Sequence, residues 1–235
     1  MHCRSFYLYE RGTLSCKTKT GISIQTVLTN HGRICFYVLV ESQTWNEEGG
    51  NPISIILQDF SKWFYEIGIP VYCKNKSKTI LYNSMNREFL MLHQKFFSQS
   101  LKNQMVYRLS VHALVVTENG YVGGSVGEGG FICQRKKRVS LNNRLNHKRK
   151  NKLFFLGEKR EIEIRRLMGK THRYEILLLY SKAFESVFTE KHVCTFCKAL
   201  KRHTEPEKVL RELKERNRDV LGMDSYACIC MEVKK

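Results

Sequence analysis

Residues 107–141, YRLSVHALVVTENGYVGGSVGEGGFICQRKKRVSL, constrain the fold of this chain more than any other stretch. Leu109, Val111, Ala113 and Val115 alternate with a period of two, which places them on one face of a strand. Leu114 and Val116 load the opposite face, so this strand must be covered on both sides. Asn119-Gly120 supplies the positive φ values of a tight turn, and residues 121–126 form the return strand. The glycine-rich 127–130 then turns the chain back along 131–134. A basic turn, Arg135, Lys136, Lys137 and Arg138, precedes a last strand at 139–141. Three successive hairpins predict an antiparallel meander at the heart of a sheet.

The flanks supply the covering layers. Residues 5–10 and 23–28 have the length and patterning of short strands, and 34–40 (ICFYVLV) is an apolar run suited to burial on both faces. Asn51-Pro52 opens a helix, with asparagine as cap and proline at the first helical position. Ile53, Ile56, Leu57, Phe60, Phe64 and Ile67 fall on its inner face, and Gly68-Ile69-Pro70 predicts its end. A second amphipathic helix is expected over 86–100, with Phe89, Leu90, Leu92, His93, Phe96 and Phe97 turned inward. After the meander come a buried strand at 174–180, helices over 189–201 and 207–218, and a closing strand at 226–233. Strands and helices segregate in sequence, which predicts a layered α+β domain rather than a doubly wound parallel sheet. The whole of 1–235 reads as one domain.

Composition narrows the setting. No apolar run approaches the roughly 20 residues of a membrane helix, and the amino terminus lacks the apolar core of a secretory signal. Nine cysteines at irregular spacing are an odd number, which predicts reduced thiols in a cytoplasmic protein. Forty Lys and Arg against 22 Asp and Glu leave a formal charge of +18, so the partners should be polyanions.

The order of elements and several short motifs carry a family resemblance. A buried strand runs into Glu41-Ser42, followed by Gly49-Gly50 and the helix from Pro52. A glycine-rich turn, Gly127-Glu128-Gly129-Gly130, lies between two strands. Leu156-Gly157 precedes the next elements, Ser181-Lys182-Ala183 follows a buried strand, and Asp224-Ser225 precedes the last one. In this order the chain resembles the PPM-type, protein phosphatase 2C-like, metal-dependent serine/threonine phosphatases. The resemblance implies a four-layer α-β-β-α sandwich of two antiparallel sheets flanked by helices, with a flap region shortened near 142–155.

The same resemblance implies two Mn²⁺ or Mg²⁺ ions held mainly by aspartates. Carried over position by position, the aspartate after the first buried strand is Glu41 and its glycine is Ser42. The aspartate of the Ser-Asp-Gly motif is Lys182, while the last one survives as Asp224. Residues 21–29 offer neither the expected acidic pair nor a phosphate-binding arginine, and Arg4, Arg11 and Arg33 stand in no recognisable motif. Glu41 and Asp224 are thus a vestigial metal pair, and Lys182 is expected to salt-bridge Asp224 across the old pocket. The expected cofactor is none, or Mn²⁺ or Mg²⁺ if the chain is active.

Other constellations weigh less. Cys194-x-x-Cys197, with His192, His203, Cys228 and Cys230, has an unsuitable spacing for zinc, and buried thiols commonly act as small hydrophobes. Gly123-Gly124 and 127–130 open no helix, so they predict close packing and turns rather than a phosphate cradle. Arg135, Lys136, Lys137, Arg138, Lys148, Arg149 and Lys150 are the candidate anion-binding residues. The expected function is that of a pseudophosphatase that binds phosphorylated or acidic protein. The alternatives are an active divergent phosphoprotein phosphatase and a basic module for nucleic acid or another anionic surface.

Overall fold

The computed structural model describes residues 2–10, 19–43, 51–135, 138–141, 154–172, 175–184, 208, 211, 212, 215 and 225–234. Two five-stranded antiparallel sheets pack face to face. One holds β2 (Lys19–Thr29), β3 (Gly32–Ser42), β4 (Leu109–Thr117), β5 (Gly120–Val126) and β8 (Arg165–Gly169) in that order. The other runs β1 (His2–Glu10), β10 (Tyr226–Lys234), β9 (Glu175–Tyr180), β6 (Gly130–Arg135) and β7 (Arg138–Leu141). Helices α1 (Pro52–Trp63), α2 (Ile69–Asn75) and α3 (Lys78–Asn103) cover the outer face of the first sheet.

The two faces of β4 divide as their alternation predicts. Leu109, Val111, Ala113 and Val115 join Phe36, Val38 and Val40 under the helices. Leu114 and Val116 join Tyr37, Leu39, Phe131, Leu177, Leu179 and Ile229 between the sheets. Gly123 and Gly124 make this packing possible: a Cβ on Gly123 would lie 2.3 Å from the Ala113 carbonyl, and one on Gly124 would lie 2.6 Å from the Phe89 ring. Glycine here lets α3 lie directly on β5.

Several expectations change. The meander is not one sheet: β5 pairs with β4 and β8, whereas β6 pairs with β7 and β9. Residues 127–129 therefore cross from one sheet to the other instead of closing a hairpin. Gly127 and Gly129 adopt φ of +86° and +76°, a region that disfavours other residues, and this lets the crossing be so short. At the β4–β5 turn, Thr117 pairs with Gly120, and Gly120 rather than Asn119 takes the positive φ.

The first helix does not stop at Pro70. It widens into a π-helical turn, Phe64–Gly68, and resumes as α2 with proline in its first turn, where no N–H donor is needed. Ile67 is consequently turned outward. Asn51 caps α1 as expected, accepting from the N–H groups of Ile53 and Ser54. Helix α3 begins eight residues before the expected start, because Ser77 caps it through the Ile80 N–H. Leu90 is exposed rather than inward-facing. Strand β8 had no clear signature in the sequence. The helix expected over 189–201 lies outside the described residues, as does most of that over 207–218. Lys208, Arg211, Glu212 and Glu215 are helical and exposed. No helix among the described residues is long and apolar enough to cross a membrane.

Candidate functional site

Strand ends converge at one end of the sandwich. β3 delivers Glu41 with Gln43 just past its end, the first half of β4 carries Ser110 and His112, β5 carries Ser125 beside its last residue, and β8 begins with Arg165. The crossing 127–129 and the short turn Lys182–Phe184 after β9 arrive from the second sheet. Every polar group below lies at this junction.

Glu41 is 2% exposed, and its Oε2 accepts the backbone N–H of Lys182 at 2.9 Å. One carboxylate thus fastens the end of β3 in one sheet to the turn after β9 in the other. The Lys182 ammonium lies 2.9 Å from Glu128 Oε2, and the Gln43 side-chain amide donates to that same oxygen. Asp224, the partner expected for this ammonium, lies outside the described residues, and among those described the ammonium instead meets Glu128. Glu128 was the residue that sequence reasoning passed over. Its signal was a carboxylate in the Gly127-Glu128-Gly129-Gly130 turn, at the place where the resembled motif carries an aspartate.

Beneath Glu128 lies a second tier. The Ser110 hydroxyl accepts from the Glu128 N–H at 3.1 Å. His112 Nε2–H donates to the Glu128 carbonyl at 2.8 Å, so its Nδ1 accepts from the Ser125 hydroxyl, also at 2.8 Å. Arg165 donates to the Gly127 carbonyl at 2.6 Å and to Ser125 Oγ at 3.0 Å. Serine beside an accepting imidazole has the pairing of a nucleophile and its base, but Ser125 is 1% and His112 0% exposed. No substrate atom can reach them, and this tier serves as the scaffold of the crossing.

Burial drives the His112 imidazole down from 6.5 to about 3, assisted by the Arg165 guanidinium and opposed by the hydrogen bond to the Glu128 carbonyl. The neutral ring is what the Ser125 contact requires. A depressed folded pKa means that the unfolded chain binds the extra proton between about 6.5 and about 3. Stability is therefore complete above 6.5 and falls as the pH drops through this window, with a slope of at most about 1.4 kcal/mol per pH unit. Melting temperatures of the native chain and His112→Gln, compared at neutral and mildly acidic pH, should show a smaller acid-dependent drop in the variant. Equal drops would assign the acid sensitivity to other groups.

The donor set can be tested against the two divalent ions that the family resemblance implies. Glu41 and Glu128 are the two carboxylates that converge among the described residues, and each already accepts from an N–H group of Lys182. No cluster of three or more His, Cys, Asp or Glu suited to a metal occurs among those residues. An ammonium about 4 Å from a unit positive charge is opposed by about 4 kcal/mol at an effective dielectric near 20, and a divalent ion doubles this. The half-exposed Lys182 side chain reduces that figure without cancelling it. Among the described residues, Glu41 and Glu128 with Lys182 between them do not fit a pair of Mn²⁺ or Mg²⁺ ions.

The remaining candidates separate. Arg135 and Arg138 pair across the β6–β7 hairpin. Their side chains, Lys136, Lys137, Lys148, Arg149, Lys150 and most of residues 142–155, where a shortened flap was expected, lie outside the described residues. The same holds for His192, Cys194, Cys197 and His203, whereas Cys228 and Cys230 are buried in β10 and form no disulfide.

Comparison with solved structures places this architecture. The chain superposes on the S. agalactiae serine/threonine phosphatase with a TM-score of 0.76 at 12% identity, covering 99% of this chain and 100% of that one. It also matches the catalytic domain of the serine/threonine protein phosphatase PstP, solved with two manganese ions, at a TM-score of 0.65 and 11% identity over 99% of each chain. The PPM Ser-Thr phosphatase MsPP from Mycobacterium smegmatis, in complex with cacodylate, gives 0.62 at 12% identity, covering 99% of this chain and 98% of that one. No protein-family model and no curated protein matches the sequence. The chain has the fold of the PPM-type serine/threonine phosphatases: two antiparallel sheets packed face to face and flanked by helices.

Proposed function

We propose that this chain is a pseudophosphatase, a phosphatase-fold protein that acts by binding phosphorylated or acidic protein instead of hydrolysing a phosphoester. The observation that carries this reading is the 2.9 Å contact between the Lys182 ammonium and Glu128, at a junction where the resembled enzymes need anionic oxygen around metal. A tethered cation there neutralises the carboxylate and competes with any ion for it. The formal charge of +18 supports an acidic partner. Arg135, Lys136, Lys137, Arg138, Lys148, Arg149 and Lys150 are the proposed phosphate contacts. Cys35, Cys73, Cys133, Cys228 and Cys230 form no disulfide, which supports a reducing, cytoplasmic setting.

The purified chain should release no p-nitrophenol from p-nitrophenyl phosphate above the blank when Mn²⁺ or Mg²⁺ is added. Metal-dependent turnover that disappears in Asp224→Ala would make it an active, divergent phosphatase and end the proposal.

A further inference from the structure

Helix α3 buries one face on β5 and leaves a second, ordered face outside. At 100° per residue, Ile80, Arg87, Met91, Gln94, Ser98 and Leu101 form one stripe, separated by steps of seven, four, three, four and three residues. All six are exposed, Met91 at 61% and Leu101 at 69%. From Ile80 to Leu101 the stripe runs about 31 Å at 1.5 Å per residue. Leu90 extends it on one side, and Lys95 and Lys102 border the other. Spacings of three and four are what a second helix needs to set its side chains between these ridges.

The charge of this face is one-sided. The sole acid on α3, Glu88, is buried, so every charged residue that the helix exposes is a cation. Nearby acids stand on neighbouring elements: Asp59 on α1, held by Lys95 at 2.8 Å, and Glu161 and Glu163 on the segment that His93 ties to the helix through the Arg160 carbonyl. Added to the formal charge of +18, this selects an acidic partner over a second copy of the chain.

The polar members of the stripe decide between a polypeptide and a lipid surface. Arg87, Gln94 and Ser98 occupy half of its positions. In an acyl layer they would lose water without gaining partners, whereas a facing helix offers carboxylates and amides to them. We propose that the outer face of α3 docks an acidic amphipathic helix of a protein partner, with apolar residues against Ile80, Met91 and Leu101 and carboxylates against Arg87 and Lys102. This supplies a seat for the binding role proposed above, but its geometry does not depend on the ion-paired pocket.

The probe is a capped synthetic peptide of about 21 residues, enough to span the stripe as a helix, with leucines at three- and four-residue spacing and flanking glutamates. Fluorescence anisotropy with the full chain should show saturable binding that weakens with added salt. Met91→Glu/Leu101→Glu should weaken it at least about tenfold, or ~1.4 kcal/mol. A permuted peptide of identical composition, its leucines spread around the helix, should bind no better than that variant does. Absence of binding, equal binding of the permuted peptide or undiminished binding to the variant each overturns the proposal. So does sedimentation with phosphatidylcholine–phosphatidylserine vesicles that Met91→Glu/Leu101→Glu abolishes, which would assign the face to a membrane. If that variant fails to melt cooperatively, Arg87→Glu/Lys102→Glu replaces it and should reverse the preference toward a lysine-bearing peptide. Peptide binding by a chain that also turns over p-nitrophenyl phosphate would retire the binding-only role and leave this docking face standing.

Discussion

Lys182→Asp is expected to give the chain measurable Mn²⁺ binding, at about 10⁻³ M or tighter, the weak end of sites built from few oxygen ligands. Calorimetric titration of the native chain should show no such heat. The substitution replaces the ammonium 2.9 Å from Glu128 with a carboxylate and so changes the local charge by two units. The backbone is spared, because Glu41 accepts from the main-chain N–H of residue 182, which any side chain there retains. Lys182→Met separates the two contributions: it removes the repulsion without adding a ligand, and its affinity should fall between the others. If Lys182→Asp takes up no more Mn²⁺ than the native chain, the ammonium is not what bars the metal, and the proposed basis for inactivity fails.

Phe36→Ala should be the most destabilising of the substitutions considered, at about 3–5 kcal/mol, the cost of removing a fully buried aromatic ring. Phe36 is 0% exposed and sits where β3 meets α1 and the π-helical turn. Its ring centroid lies 4.8 Å from that of Phe64, 5.5 Å from Trp63 and 6.2 Å from Phe60. Three large rings cannot close over the space one leaves, so the cavity cost adds to the lost transfer energy. Since whole domains are stable by about 5–15 kcal/mol, this is a large share. Urea unfolding should show a lowered midpoint with an unchanged m-value. Met91→Glu, on the exposed face of α3, is the control and should stay within about 0.5 kcal/mol. A loss at Phe36 no larger than at Met91 would mean that the cluster repacks freely.

Much of the fold could be read before any coordinates. The period of two at Leu109, Val111, Ala113 and Val115 set which side chains face the helices, since alternation is a property of the extended backbone itself. Asn51-Pro52 marked a helix start because capping and a fixed φ act within a few residues. Expectations failed where a local signal had two tertiary outcomes. Gly127 and Gly129 allow a hairpin or a passage between sheets with equal ease. Pro70 can end a helix or sit in the first turn of the next. Leu90 and Ile67 are as apolar as their buried neighbours, so the sequence alone does not separate the core from the outer face.

For the site, the sequence by itself determined the chemistry: a cation at position 182 in place of an expected aspartate, a carboxylate at position 41, and a lone carboxylate among the glycines of 127–130. Those are statements of residue type, and no folding is needed to make them. Which carboxylate meets the ammonium was decided only by the tertiary structure. Positions 128 and 182 lie far apart along the chain and become neighbours because a glycine crossing carries the chain from the end of β5 into the other sheet, beside the turn after β9. Charges attract over a few ångströms, whereas the proximity that brings them so close is set by strand pairing and sheet packing, which no short stretch of sequence encodes.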